Sequence, residues 1–548
     1  MTMDIKTSAD GVADAGTAPA TSRLATMLST HRWSIAGLGG ALVAYFVVAV
    51  GGVLVRAPLG HDEAVYAMRA RDLASGWSIT SGGYWAEYRA PGLPMMLSIT
   101  NRVLGMHVVT MRLTVVLLGA VLLLGTWFIA RHLGLRNGAA VAPFLVAICA
   151  GFAYTASTLL ADVPGAAFGI LAVAVYLFEL DRGSLRWSFL VVPLATGWGT
   201  VARFGTPIMI GAGLTAAFVV TAPAVWRHRN WLLVAQSACL AIGTGLVVRV
   251  VMFTGLLSRS DLSPADANKS LISRKGLTPS SGFDDLKRVL IPWSSLPVPL
   301  WSKAVAVLFV FGLVAGVVSS LLPGGRPRAV VFGLVAGVIS LAGITASVGL
   351  VVANYLALSL PFWAIAAAAG YVWIGEQCAR LVGQRRLLGL LAASLIFVIA
   401  GGLVVKTTLD ARYFHHRQEI LFGSLRDVSV DTGRQLGSDC VLVTGSAPQV
   451  GYYSGCRIVR FQGMATEETL PDVLVASVSV AVALLEPDPV VGGTAVLIRE
   501  QGKRQPPNEQ LLEGEGLGDR ISEFGSEGQR NIHVWSSPIL ACAWTDTC

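Results

Sequence analysis

The chain consists largely of long apolar runs that alternate with short polar segments. A helix needs about 20 predominantly apolar residues to cross a bilayer. Eleven runs suit this requirement, at residues 33–55, 110–132, 138–160, 163–180, 187–203, 204–222, 231–257, 301–322, 329–351, 355–375 and 386–406. The pattern therefore predicts a polytopic α-helical membrane protein with about eleven transmembrane helices. If residues 187–222 instead form one long tilted helix, every later segment changes sides.

Basic residues set the expected orientation. With a cytoplasmic N-terminus, arginines fall in the inner loops at 131, 136, 182, 186, 227, 229, 326, 328, 380, 385 and 386. The outward turns near Asp162 and Asn354 contain no Lys or Arg, which agrees with the positive-inside rule. The loops 56–109 and 258–300 and the residues after 407 are then extracytoplasmic.

Composition supports a membrane location and divides the chain into three parts. Hydrophobic residues make up 54% of the chain and charged residues 14%, unlike an ordinary soluble domain. The net charge of +8 is explained by loops facing anionic lipid and does not predict a nucleic-acid partner. We expect a disordered cytoplasmic tail at 1–31, a transmembrane catalytic domain at 32–407 and an extracytoplasmic α/β domain at 408–548.

The tail predicts its own fold because short apolar runs alternate there with turn-rich segments. It also contains four of the seven cysteines, and an even number of cysteines in an outward domain favours disulfides. The simplest pairing joins Cys440 to Cys456 and Cys542 to Cys548. Four cysteines allow two other pairings.

Two acidic sites are predicted at the outward membrane face. Asp62 and Glu63 begin a helix that ends at Gly76, and Asp162 precedes a helix that starts at Val163 and Pro164. The structural interpretation is that Asp62 and Asp162 cap their helices while Glu63 complements the helix dipole. The functional interpretation is that these carboxylates act as general bases or hold a divalent cation such as Mg²⁺ or Mn²⁺.

Arginines predicted at the same membrane face as the acidic sites indicate a phosphate-binding site. Arg89, Arg112 and Arg203 are all predicted outward, and Arg binds phosphate in a bidentate manner. For Arg112, snorkelling to the headgroups is the simpler account. The outward loop 258–300 adds Lys269, Arg274 and Lys275, which either bind lipid phosphate or are solvated beside anionic headgroups. Together the two kinds of charge favour a transferase whose donor is a lipid phosphate.

Several stretches, kept in order over most of residues 33 to 225 with a short piece of the tail, resemble a known superfamily. They are "GHDEAVYAMRARDLASGW", "YRAPGLPMMLSI", "MRLTVVLLGAVLLLGTWFIARHLG", "STLLADVPGAAFGILAVAVYLFE", "GWGTVARFGTP" and "VLVTGSAPQVGYYSGCRIV". The chain resembles the GT-C membrane glycosyltransferases of the protein O-mannosyltransferase superfamily, which includes the bacterial lipid A aminoarabinose transferase. The resemblance implies a GT-C fold, a polyprenyl-phosphate sugar donor and a glycan, lipid or protein acceptor at the outer face.

The resemblance also assigns roles to residues. Asp62, Glu63 and Asp162 match acidic residues near the family's catalytic centre. Glu87 corresponds loosely to a further acidic residue, and we include it with Tyr66 as a contact to the acceptor or a metal. Relatives often carry an Arg-Tyr pair where this chain has Asn354 and Tyr355. The phosphate contact is therefore expected from Arg203 or from the basic loop.

Two other classes of protein fit the sequence less well than a glycosyltransferase does. A transporter predicts an internal repeat and charges near the bilayer midplane, but the carboxylates lie at helix ends on one face. A membrane-anchored binding protein explains the outward tail and leaves the acidic and Arg sites of the first six spans unexplained. The sequence therefore favours a polyprenyl-phosphate-dependent hexosyl- or pentosyltransferase of the cell envelope.

Overall fold

The computed structural model of the chain describes residues 20–76, 90–253, 279–290, 302–348, 352–382, 386–436, 441–444, 447–460, 495–500, 519–524 and 532–537. Its helices are α1 (Ala20–Val53), α2 (His61–Ala74), α3 (Gly92–Leu104), α4 (Val108–Ala130), α5 (Val141–Ala147), α6 (Ala150–Ala156), α7 (Asp162–Arg182), α8 (Ser188–Ala202), α9 (Thr206–Arg227), α10 (Trp231–Phe253), α11 (Pro279–Leu290), α12 (Lys303–Ser320), α13 (Pro327–Val348), α14 (Leu360–Val382), α15 (Arg386–Leu436) and α16 (Ala447–Ser454). A 3-10 turn at Ala353–Leu358 precedes α14.

The chain is a multi-pass membrane protein. Within the described residues, eight helical segments are long and apolar enough to cross a bilayer. The predicted count of eleven is thus not confirmed. Residues 187–222 do form two helices, α8 and α9, although α8 has only 15 residues. Arg203 lies between them in extended conformation.

The predicted span 138–160 is interrupted. It consists of the end of a 3-10 turn followed by α5 and α6, with a break at Ile148 and Cys149. A side chain from another helix satisfies a backbone group freed by this break, because Thr407 Oγ1 donates to the Ile148 carbonyl at 2.9 Å. Apolar content alone does not reveal such an interruption, since the compensating hydroxyl lies 259 positions away.

Small residues bring the later helices together. On α12, Gly312 and Gly316 face Gly370 of α14 so closely that a Cβ on Gly370 would lie 2.2 Å from the Gly312 carbonyl oxygen. Such contact between small residues is how helices associate where lipid supplies no hydrophobic driving force between them. The first half of the chain is joined to this pair through α13, which packs on α9 and α14.

The last long helix is longer than a bilayer requires. Helix α15 has 51 residues, a length of about 76 Å at 1.5 Å per residue, whereas the segment suited to cross a bilayer covers Ser394–Ile420. The helix runs without a break through residues 407 and 408, where the sequence predicts the start of a separate domain. Its packing partners include α1, α6 and α16.

Beyond α15 the described residues contain five strands, β1 (Val441–Thr444), β2 (Arg457–Arg460), β3 (Ala495–Glu500), β4 (Asp519–Phe524) and β5 (Ile532–Ser537). They form one sheet in the order β2-β1-β3-β5-β4. Strand β1 is parallel to β2 and β3, and β5 is antiparallel to β3 and β4. Helix α16 connects the parallel pair β1 and β2.

Candidate active site

The acidic pair lies in the first turn of α2, where Asp62 is exposed and Glu63 is buried. Gly60, not Asp62, occupies the N-cap position, so the expectation that Asp62 caps this helix is wrong. Glu63 folds back instead and accepts the Gly60 N–H through Oε2 at 3.0 Å. Asp62 remains in the first turn, where the helix dipole favours a negative charge.

Glu63 is the centre of a buried polar cluster. Arg112 of α4 donates to it twice, from Nε to Oε1 and from Nη2 to Oε2, both at 3.1 Å. The Leu159 N–H donates to Oε1 at 2.9 Å, and the Gln418 amide of α15 donates to Oε2. One carboxylate therefore joins α2, α4, the segment before α7 and α15.

Arg112 does not snorkel. Its side chain is 1% exposed, and it also donates to the carbonyl oxygens of Ala57 and Pro58 just before α2. Burial would by itself raise the pKa of Glu63. The charge of Arg112, the two backbone N–H groups and Gln418 outweigh burial and hold the pKa of Glu63 below its usual value. Glu63 is thus an ionised, fully hydrogen-bonded group.

Asp162 forms a second cluster at the start of α7. The N-cap of α7 is Ala161, and the Asp162 side chain does not cap the helix. Its Oδ1 is 3.0 Å from Arg203 Nε, and its Oδ2 accepts the Asn354 Nδ2–H at 2.8 Å. The Arg203 guanidinium also lies over the Tyr355 ring, 4.4 Å from its centroid.

The two clusters adjoin each other. Tyr66, one turn after Asp62 on α2, is buried. Glu63 contacts Leu159, only three residues before Asp162. The structure thus connects the start of α2, which carries Asp62 and Glu63, to the ion pair of Asp162 and Arg203 through the short segment from Leu159 to Asp162.

Residues near the C-terminal end of the chain also position α2, and motif reasoning assigned none of them. Tyr453 Oη of α16 accepts the Leu59 N–H at 2.7 Å, and Arg71 Nη1 of α2 donates to the Gly451 carbonyl at 3.1 Å. Gln418 of α15 donates to the Pro58 carbonyl at 2.7 Å. The stretch "SAPQVGYYSG" was the available signal, since it belongs to the tail segment that shares the family resemblance.

Other predicted residues lie outside the described part of the chain, namely Glu87, Arg89, Lys269, Arg274, Lys275, Cys440, Cys542 and Cys548. Their roles stay predictions, as does the pairing of Cys456, which is buried just after α16. The described thiols of Cys149, Cys239 and Cys378 are free. Among the residues that the structure describes, no three His, Cys, Asp or Glu side chains converge to form a metal site. The divalent cation remains a hypothesis.

Comparison with known proteins gives the fold a class. The sequence profile of the dolichyl-phosphate-mannose-protein mannosyltransferase family matches residues 88–251. The crystal structure of ArnT from Cupriavidus metallidurans bound to undecaprenyl phosphate is similar with a TM-score of 0.61 at 15% identity, over 92% of this chain and 98% of ArnT. No curated protein sequence matches significantly.

A second solved structure agrees with the first. The archaeal oligosaccharyltransferase AglB from Archaeoglobus fulgidus, in complex with an inhibitory peptide and a dolichol-phosphate, has a TM-score of 0.50 at 14% identity over 85% of this chain and 69% of AglB. The chain therefore has the GT-C fold. The resemblance to the protein O-mannosyltransferase and ArnT-like superfamily that the sequence motifs predict is confirmed.

Proposed function

We propose that the chain is a glycosyltransferase that moves a sugar, a hexose or a pentose, from a polyprenyl-phosphate-linked donor to an acceptor at the extracytoplasmic membrane face. The observation that carries this proposal is the ion pair of Arg203 with Asp162, three residues after the Leu159 N–H that Glu63 accepts at the start of α2. Arg recognises phosphate in a bidentate manner. ArnT, with which the chain shares its fold, was solved with undecaprenyl phosphate bound.

In the proposed reaction Asp62 is the general base. Its carboxylate is exposed at the start of α2, where it accepts the proton from an acceptor hydroxyl or amine. The acceptor oxygen or nitrogen then bonds to the anomeric carbon as the bond between that carbon and the phosphate oxygen breaks. The leaving lipid phosphate keeps the electron pair, and Arg203 stabilises its charge.

Glu63 has a positioning role in this proposal. All its partners are donors that hold it ionised and inaccessible, which suits a residue that orients its neighbour Asp62. The basic loop with Lys269, Arg274 and Lys275, Arg89 and the cation stay as proposed additions to donor binding. We also propose that the N-terminus is cytoplasmic and that the sheet after residue 440 belongs to an extracytoplasmic α/β domain.

The test is a comparison of cell-envelope glycans, glycolipids and glycoproteins by mass spectrometry between cells that carry the chain and cells that lack it. We expect one sugar to disappear from one class of acceptor, and its mass identifies a hexose or a pentose. The wild-type chain should restore it, and the Asp62→Asn variant, expressed to the same level, should not. Identical glycans in both strains would contradict the proposal.

A further inference from the structure

We infer that Asp162 is a positioning residue that holds the Arg203 guanidinium ready for the donor phosphate, and that it takes no proton during transfer. This inference deepens the proposed function and rests on it for the identity of the donor. It gives Asn354 and Tyr355 the same positioning role. It also leaves Asp62 as the sole base among the three carboxylates that the sequence singled out.

Both oxygens of the Asp162 carboxylate lie close to polar groups of neighbouring elements. Oδ1 pairs with Arg203 Nε at 3.0 Å, Oδ2 accepts from Asn354 Nδ2 at 2.8 Å, and the Asp162 side chain is 2% exposed. Any proton taken up by this carboxylate would remove the charge that pairs with Arg203 in a buried setting, where leaving a charge without its partner is strongly unfavourable. A side chain that is 2% exposed also offers little surface to an acceptor hydroxyl. Both facts argue against a base.

Arg203 is fixed at its Nε atom and on one face of its guanidinium group. The ion pair uses Nε, the nitrogen nearest the aliphatic stem, and the Tyr355 ring lies beneath the guanidinium carbon. The two Nη groups lie beyond Nε, and the Arg203 side chain is 23% exposed. A guanidinium fixed in this way has lost its rotational freedom before the ligand arrives, so less entropy is lost when phosphate binds.

The backbone around the pair is shaped to let Arg203 approach Asp162. Gly165 lies on α7 one turn after Asp162, and a Cβ there would be 2.7 Å from Arg203 Cβ and 2.5 Å from Thr206 Oγ1. The absence of a side chain at Gly165 therefore lets the stem of Arg203 lie against α7. Asn354 reaches Asp162 from the 3-10 turn that precedes α14, so three separate segments converge on one carboxylate.

The experiment is a double-mutant cycle on binding of undecaprenyl phosphate to the purified full chain, with uncharged undecaprenol as the reference ligand. The wild type should prefer the phosphate. Asp162→Asn should weaken phosphate binding roughly 10-fold, the scale on which one hydrogen bond to a charged group contributes. The Asp162→Asn/Arg203→Gln double variant should bind as Arg203→Gln alone does, because Asp162 acts only through Arg203.

Two further variants separate positioning from structural damage. Gly165→Ala keeps every charge and should weaken phosphate binding by displacing Arg203. Asp181→Asn, at the other end of the same helix, breaks a comparable contact to Arg328 at 2.7 Å and should leave phosphate binding unchanged. In transfer assays Asp162→Asn should raise the donor KM and lower kcat no further than Arg203→Gln does. The double variant should match Arg203→Gln, because Asp162 acts only through Arg203, whereas loss of a general base would lower kcat in addition.

The outcomes separate the two proposals. Losses that multiply in the double variant, or a kcat for Asp162→Asn below that of Arg203→Gln, would overturn the inference and leave the proposed function standing. The expected binding pattern without any sugar transfer would support the positioning role of Asp162 and contradict the proposed glycosyltransferase activity. A wild type that binds undecaprenol as well as undecaprenyl phosphate would overturn both.

Discussion

Substituting Glu63 with Gln should destabilise the protein more than it impairs the chemistry of each folded molecule. The side chain is 4% exposed and faces only donors. A Gln in its place has one acceptor oxygen for these donors, and its NH₂ group would oppose one of them. Arg112, itself 1% exposed, would then be a buried charge without its partner. Removal of one member of a buried ion pair destabilises by about 3–5 kcal/mol.

The assay is thermal unfolding of the detergent-solubilised full chain, monitored as the fraction of the protein that stays monodisperse. Glu63→Gln should lower the melting temperature clearly. The Glu63→Met/Arg112→Met double variant should recover part of the loss, because replacing both members of a buried pair with apolar side chains is often neutral. Glu63→Gln with wild-type melting behaviour and no transfer would refute this reasoning and place Glu63 in the chemistry.

The same variant predicts a pH dependence. The folded pKa of Glu63 is below its ordinary value, which is about 4.3 in an unfolded chain. The ion pair therefore contributes its full stability above that value, and the contribution is lost as the pH falls through the folded pKa. The difference in melting temperature between wild type and Glu63→Gln should narrow as the pH falls below about 4. A constant difference would indicate that the charge of Glu63 is not what stabilises the site.

Two further predictions concern positions outside the acidic residues. Tyr453→Phe removes the acceptor of the Leu59 N–H, so we expect about 1–3 kcal/mol of destabilisation and a lower transfer rate in kinetic assays. Tyr452→Phe serves as the matched control. Equal effects of the two variants would argue against the contact between Tyr453 and Leu59. Gly370→Ala places a Cβ 2.2 Å from the Gly312 carbonyl oxygen and should reduce the yield of folded protein in size-exclusion chromatography. Gly401→Ala, with no atom within 4 Å of the added Cβ, should leave this yield unchanged. A normal yield of Gly370→Ala would show that α12 and α14 can separate.

Local pattern predicted the features that depend on neighbouring residues. The helix at Asp62 and the helix break at Arg203 follow from short-range periodicity. The break within 138–160 does not, because its compensating hydroxyl, Thr407, comes from α15.

The roles of individual carboxylates depend on long-range partners and were beyond the sequence. Glu63 and Asp62 are adjacent and chemically alike, yet one is buried and the other exposed. What distinguishes them is Arg112, 49 positions away, and Gln418, 355 positions away. Asn354 is similar, since it reaches Asp162 over 192 positions at a place where the family resemblance suggested Arg.

The most direct test of the central claim is transfer by the purified chain in proteoliposomes supplied with a polyprenyl-phosphate sugar and the acceptor identified from the envelope comparison. The account predicts that the wild type releases one polyprenyl phosphate for each sugar transferred, and that Asp62→Asn keeps the wild-type melting temperature while transfer falls at least about 10²-fold. Undiminished transfer by Asp62→Asn, or no release of polyprenyl phosphate by the wild type, would contradict it.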